Sequence, residues 1–265
     1  MNSPLLIRGA RQLVTMRGSP SGAAPGLGII PDGVLLIRNG RIEQVGASRR
    51  VLNLSGARGS AELDATGCLV MPGFVDADAD LFGDAPTRVS LRKSVERLIE
   101  HGTTAVSCPA PGRRTLKLLE ECDPPITIQL RTEQPQTWLR PLHDLVRNQG
   151  TAGDVPPNTP TVIASGFHPQ RSPACNLQTA ASLMVLNGGT TIEAALCAIT
   201  TQAAQATGLA LETGSLEPGK FADLLLLDVP DYREIPYHFG VNLVRAVMRR
   251  GQVIYSRGEF EWHAD

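Results

Sequence analysis

Three aspartates at alternate positions carry the strongest chemical signal in the chain. Asp76, Asp78 and Asp80 are separated by Ala77 and Ala79 and follow the apolar run Leu69-Val-Met-Pro-Gly-Phe-Val75. On an extended strand, residues two apart point to one face, so the pattern predicts three carboxylates side by side where a buried strand ends. Like charges that close repel, and a folded chain holds them only with a cation, a basic partner or open water. In one reading the acids bind Mg²⁺, Mn²⁺ or Ca²⁺, hard cations that prefer oxygen ligands. Further oxygen donors would then have to come from other strands, and only Asp84 is near in sequence. In the other reading the strand end is open to solvent and the acids are simply hydrated.

His168 follows another predicted strand, Thr161-Val-Ile-Ala-Ser165, at the end of a sheet where α/β barrels place their chemistry. With Asp78 or Asp80 it could form a base–carboxylate pair; a solvated loop histidine is the plainer alternative. Cys108 ends a strand without an evident base beside it and reads as a small buried hydrophobe.

The elements that must position these residues change texture along the chain. Leu5–Val14 reads as a first strand. Residues 33–46 read as a hairpin turning at Asn39-Gly40, because both turn residues tolerate the positive φ of a type I′ turn. Ala61–Asp64 is a further extended stretch leading to the aspartate strand. After Asp80 the pattern alternates. Arg88–His101 has helical periodicity, Thr103–Cys108 is a strand, Arg113–Cys122 a helix and Pro125–Arg131 a strand. Thr137–Asn148 reads as a helix bent near Pro141, and a polar loop over 150–160 precedes the fourth strand. Leu177–Asn187 and Thr191–Gly208 are helical. The tail returns to strands at Gly219–Asp228 and in a hairpin around Arg250-Gly251.

Alternating strands and helices imply βαβ units and a parallel sheet. A complete eight-unit barrel needs ~250 residues by itself, more than residues 67–214 supply. The expected fold class is therefore α/β: a truncated, about four-stranded TIM-like half-barrel over 67–214, with a small β-sandwich formed by both chain ends, 1–66 and 215–265.

Composition narrows the partners. A formal net charge of −1 gives no support for nucleic acid or an anionic membrane as partner. No run approaches the ~20 apolar residues of a membrane-spanning helix, and the N-terminal residues lack a signal-peptide pattern. Five scattered cysteines without a C-x-x-C pair predict neither a disulfide framework nor a structural zinc site. A cytoplasmic location is the expectation.

Several segments resemble a known family. Leu69-Val-Met-Pro-Gly-Phe-Val-Asp76 resembles the first barrel strand of the amidohydrolase superfamily, which normally continues as His-x-His. Gly214-Ser-Leu-Glu-Pro-Gly-Lys-Phe-Ala-Asp223-Leu resembles its C-terminal return to strands. Pro230-Asp-Tyr-Arg-Glu-Ile-Pro-Tyr-His-Phe-Gly-Val-Asn242 is similar to the imidazolonepropionase branch, ring-opening hydrolases of histidine breakdown. The resemblance implies a metal-dependent barrel in which a divalent ion activates water. It also implies where that pattern is lost. The His-x-His positions fall on Asp78 and Asp80, and the aspartate of the last strand falls on Gly166. Two function classes follow. One is a homologue without metal chemistry that works by binding or assembly, with no cofactor and with Asp78, Asp80 and Gly166 as vestigial metal positions. The other is a hydrolase acting on C–N bonds of a cyclic amide, with a site rebuilt from Asp78, Asp80 and His168, which a dimer interface could complete, and with a divalent metal under this reading alone. An open half-barrel exposes unpaired sheet edges and an apolar inner face, so a homodimer covering that side is expected. The small-molecule ligand is not specified by the sequence.

Overall fold

The computed structural model describes residues 3–18, 26–133, 139–146, 161–187, 190–257 and 259–260. The predicted loop over 150–160 and parts of the 137–148 segment lie outside those residues.

Leu5–Val14 is two strands in different sheets. Leu5–Arg8 lies between Gly33–Arg38 and Ala61–Asp64, in a four-stranded sheet completed by Arg41–Ala47. Gln12–Val14 joins a seven-stranded sheet beside Leu69–Pro72. Gly9, at φ +82°, makes the break, and a Cβ there would stand 2.6 Å from Thr66 Oγ1. The seven-stranded sheet interleaves the two ends of the chain. Leu69–Pro72 pairs antiparallel with Leu224–Leu227, which pairs with Val244–Arg249 and then Gln252–Ser256. The sheet thus extends past residue 66. Both predicted hairpins form: Asn39 and Gly40 have φ of 51° and 76°, Arg250 and Gly251 46° and 76°. The two sheets share a core in which Ile7, Leu35 and Ile37 meet Leu13, Val70, Leu224, Leu226 and Met248.

The second group of strands is parallel. Thr103–Pro109 pairs with Phe74–Asp76 on one side and Thr127–Arg131 on the other. Leu139–Pro141 pairs with Val162–Ala164. Residues 139–141 were expected in a helix; they form a strand, and the helix Leu142–Val146 begins only after Pro141, where proline's missing N–H costs nothing. Beyond Asp76 the two small sheets are stitched together. Gly166 N donates to Asp78 O at 3.0 Å, Asp80 N to Phe167 O at 2.7 Å, and Ala79 forms a parallel bridge with Phe167. The described residues therefore hold five parallel strands, three in one sheet and two in the other, rather than about four.

Helix Arg88–Glu100 packs Leu91, Val95 and Leu98 against Phe74, Val106 and Cys108. Its start is a reciprocal capping box between Thr87 and Ser90. The opposite face, with Val75, Ala77, Ala105, Val162 and Ala164, packs on Ala203, Ala204 and Leu209. An apolar face expected to stay uncovered is thus covered by residues 203–209 of the same chain.

Candidate functional site

All the residues singled out in the sequence gather where the parallel strands end. The strand reading of the aspartates needs correction, however. The strand stops at Asp76, and residues 77–80 are held by one backbone bond on one side, Ala79 N donating to Ser107 O at 3.1 Å, and by the two bonds to Gly166 and Phe167 on the other. Each of the three carboxylates has its own partners.

Asp76 is fully buried. One carboxylate oxygen accepts from the backbone N–H of Ser165 at 3.0 Å, and the other is bonded by the Ser165 hydroxyl. Burial disfavours the charged form and pushes the carboxyl up to about 6, although the Ser165 hydrogen bonds oppose the shift. Asp78 is paired with the Arg131 guanidinium. Arg131 Nη1 also donates to Ser107 O at 2.7 Å. Asp80 turns back on its own loop, where Oδ1 accepts from the N–H groups of Phe82 and Gly83 at 2.8 and 3.0 Å.

His168 is brought to this place, 3.8 Å from Asp80 Oδ2 and 3.8 Å from Asp84 Oδ1. Its ring nitrogens face donors of its own chain. Nε2 lies 3.0 Å from Arg171 Nε, and Nδ1 lies 3.3 Å from the N–H groups of Gln170 and Arg171. A neutral imidazole accepts at one nitrogen only, so these donors compete for it. Gly166, at φ +64°, supplies a backbone N–H and no side chain. Cys108 is buried, and burial pushes its thiol up to about 12, out of reach of nucleophilic chemistry near neutrality.

A divalent ion fits this donor set poorly. Asp78 is engaged by a guanidinium, Asp80 by backbone donors, Asp76 by Ser165, and His168 by Arg171. Among the described residues no three His, Cys, Asp or Glu side chains converge in metal-ligand geometry. Reading the sequence missed Arg131, Ser107 and Ser165. Each stands at or near the C-terminal end of a strand in the parallel set, and such ends converge in one place, which is the signal that could have marked them.

A model described as "Amidohydrolase family" matches residues 173–255. An imidazolonepropionase from Geobacillus kaustophilus (strain HTA426) is 41% identical over 100 residues, 38% of this chain and 24% of that protein. One from Thermoplasma volcanium is also 41% identical, over 98 residues, 37% and 24% of the two chains. The match thus spans about a quarter of the length of these relatives. Among solved structures, E. coli guanine deaminase superposes with a TM-score of 0.70 at 12% identity, over 97% of this chain and 100% of that one. A structure described as molinate hydrolase gives 0.69 at 12% identity, over 95% and 94%. At such identities the likeness is one of fold.

Proposed function

We propose that this chain, an imidazolonepropionase-like member of the amidohydrolase superfamily, has left metal-dependent hydrolysis and works by binding or assembly. The observation that carries this reading is the engagement of Asp78 by Arg131 at a position that the family resemblance gives to a metal-binding histidine. With Asp80 tied to backbone N–H groups and Gly166 without a side chain, the metal positions are vestigial in this reading, and no cofactor is required. The parallel strands are read as a truncated half-barrel and the sheets that include Leu69–Pro72 as a sandwich formed by the two chain ends. A homodimer formed through the edges at Thr127–Arg131 and Leu139–Pro141, which pair with no further strand among the described residues, is part of the proposal, as is a cytoplasmic location. No described helix is long and apolar enough to cross a membrane.

Purified protein assayed for ring opening of a cyclic amide such as an imidazolone, with and without added Zn²⁺ or Mn²⁺, tests the reading. No turnover is expected in either condition. Turnover abolished by Asp78→Ala would refute it.

One observation favours a second reading, the approach of His168 to both Asp80 and Asp84. There the chain remains a hydrolase of cyclic C–N bonds, His168 acting as base with Asp80 as its carboxylate. Activity lost in His168→Ala and retained in Asp78→Asn would select it.

A further inference from the structure

We infer that Arg131 is the resident cation of this strand end, clasping three parallel strands and occupying the electrostatic role that a divalent ion has in the resembled family. The inference shares its starting contact with the proposed function, but it concerns what holds the site together rather than what the site does.

Geometry carries the inference. Arg131 is the last residue of Thr127–Arg131, yet its guanidinium reaches across the central strand to Asp78, beyond the opening strand. On the way it donates to Ser107 O at 2.7 Å, with Ser107 Oγ at 3.5 Å. One planar group with donors on both arms thus touches both neighbouring segments, which a flexible ammonium does less well. The pair is largely withdrawn from water, with 17% of the Arg131 side chain and 25% of the Asp78 side chain exposed. A charge pair in that position is costly to break from one side, because the survivor stays behind without its counter-ion.

The local charges close without any further ion. Asp80 spreads its charge over two backbone N–H groups, and Asp76 is hydrogen-bonded twice by Ser165. Asp78 is the carboxylate left needing a full positive charge, and Arg131 supplies one. A metal ion would have to share this carboxylate with the guanidinium, whose like charge opposes it, and a hard cation would then still need several more oxygen ligands.

Thermal unfolding of the intact protein and of Asp78→Asn, Arg131→Gln and the double variant tests the clasp, with parallel melts in chelator and in added Mn²⁺ or Zn²⁺. Each single change is expected to lower the midpoint by on the order of 5 °C. The double variant should lose clearly less than the sum, since no charge is left unpaired. Chelator and metal should leave the unaltered protein's midpoint where it is. Additive losses would overturn the inference, as would a metal-induced rise in the midpoint that Asp78→Asn abolishes. If Arg131→Gln does not accumulate folded, recovery of folded protein on adding Asp78→Asn supports the clasp and failure to recover counts against it. Turnover by metal-free protein would end the proposed function while leaving the clasp intact, so the two fail separately.

Discussion

Asp76 and Asp223 invite direct comparison. Both are buried aspartates beside a strand of the core, and burial pushes both up to about 6. Asp223 sits where the chain enters Leu224–Leu227, inside the segment matched by the family model, and accepts from the backbone N–H of Arg250 at 2.7 Å in a hairpin turn. The turns around it lock the two chain ends together: Ala222 N donates to Gly40 O at 2.9 Å and Gly251 N to Ala222 O at 3.0 Å. Asp76 lies outside the matched segment, and its partners are Ser165 and the backbone of Asp78. A carboxylate held by a backbone turn survives wherever that turn is kept. One held at a strand end depends on whichever side chains arrive there. Asp223 is thus held by a backbone turn, and Asp76 by the side chain and backbone of a residue just past another strand.

The largest effect should come from the junction, because it belongs to both regions. Phe74 begins the parallel strand directly after Leu69–Pro72 leaves the seven-stranded sheet, and it is fully buried. Phe74→Ala should cost ~3–5 kcal/mol of stability, read by urea unfolding. A loss below ~1 kcal/mol would mean that the two regions are not joined through this side chain.

pH separates the regions next. A carboxylate whose folded value is raised from 3.8 to about 6 binds its proton more readily in the folded state. Its contribution is therefore fully present below pH 3.8 and declines as pH rises towards about 6. For each of Asp76 and Asp223 the decline is at most about 3 kcal/mol. Asp231, held down to about 2 first of all by its Arg233 hydrogen bond, contributes in the opposite sense, its share being lost as pH falls. Stability–pH curves should accordingly be compared by difference. Subtracting the Asp76→Asn curve from that of the unaltered protein should reveal a falling component between pH 4 and 6, and Asp223→Asn a second of similar size. Flat difference curves would remove the parallel between the two sites.

Gly73 tests how tightly the chain must pass between the regions. A Cβ there would lie 2.0 Å from Thr104 Oγ1 and 2.7 Å from Thr104 Cβ, so Gly73→Ala should cost ~1–3 kcal/mol by overpacking. Partial recovery in Gly73→Ala/Thr104→Ala would locate the clash. The smallest change is expected at the Arg8–Glu62 pair, about half exposed at both ends. Glu62→Ala should shift stability by no more than ~1 kcal/mol, and less at high salt.

Local chemistry was readable from the chain. Asn39-Gly40 announced its turn because few residue pairs accept two positive φ values in succession, and at Arg250-Gly251 the glycine between two apolar runs marked the turn. Helices Arg88–Glu100 and Arg113–Cys122 were legible from their residue pattern, and in the structure Gly102 at φ +89° and Asp123 at φ +37° end them. Gly9 and Gly73 were harder, since a strand passing from one sheet to another leaves no break in apolar pattern. The short strand Leu139–Pro141 was hidden by neighbouring helix-compatible residues and exists through its pairing with Val162–Ala164.

The sequence by itself determined where the acids lie, how the elements alternate and that both chain ends form strands, because these depend on spacing and on backbone preferences within a few residues. What neutralises the acids was decided only in three dimensions. Arg131 is 53 residues from Asp78, and Ser165 is 89 from Asp76. Parallel strands bring such distant positions together at one end of a sheet, and no local pattern records which side chain will arrive opposite which charge.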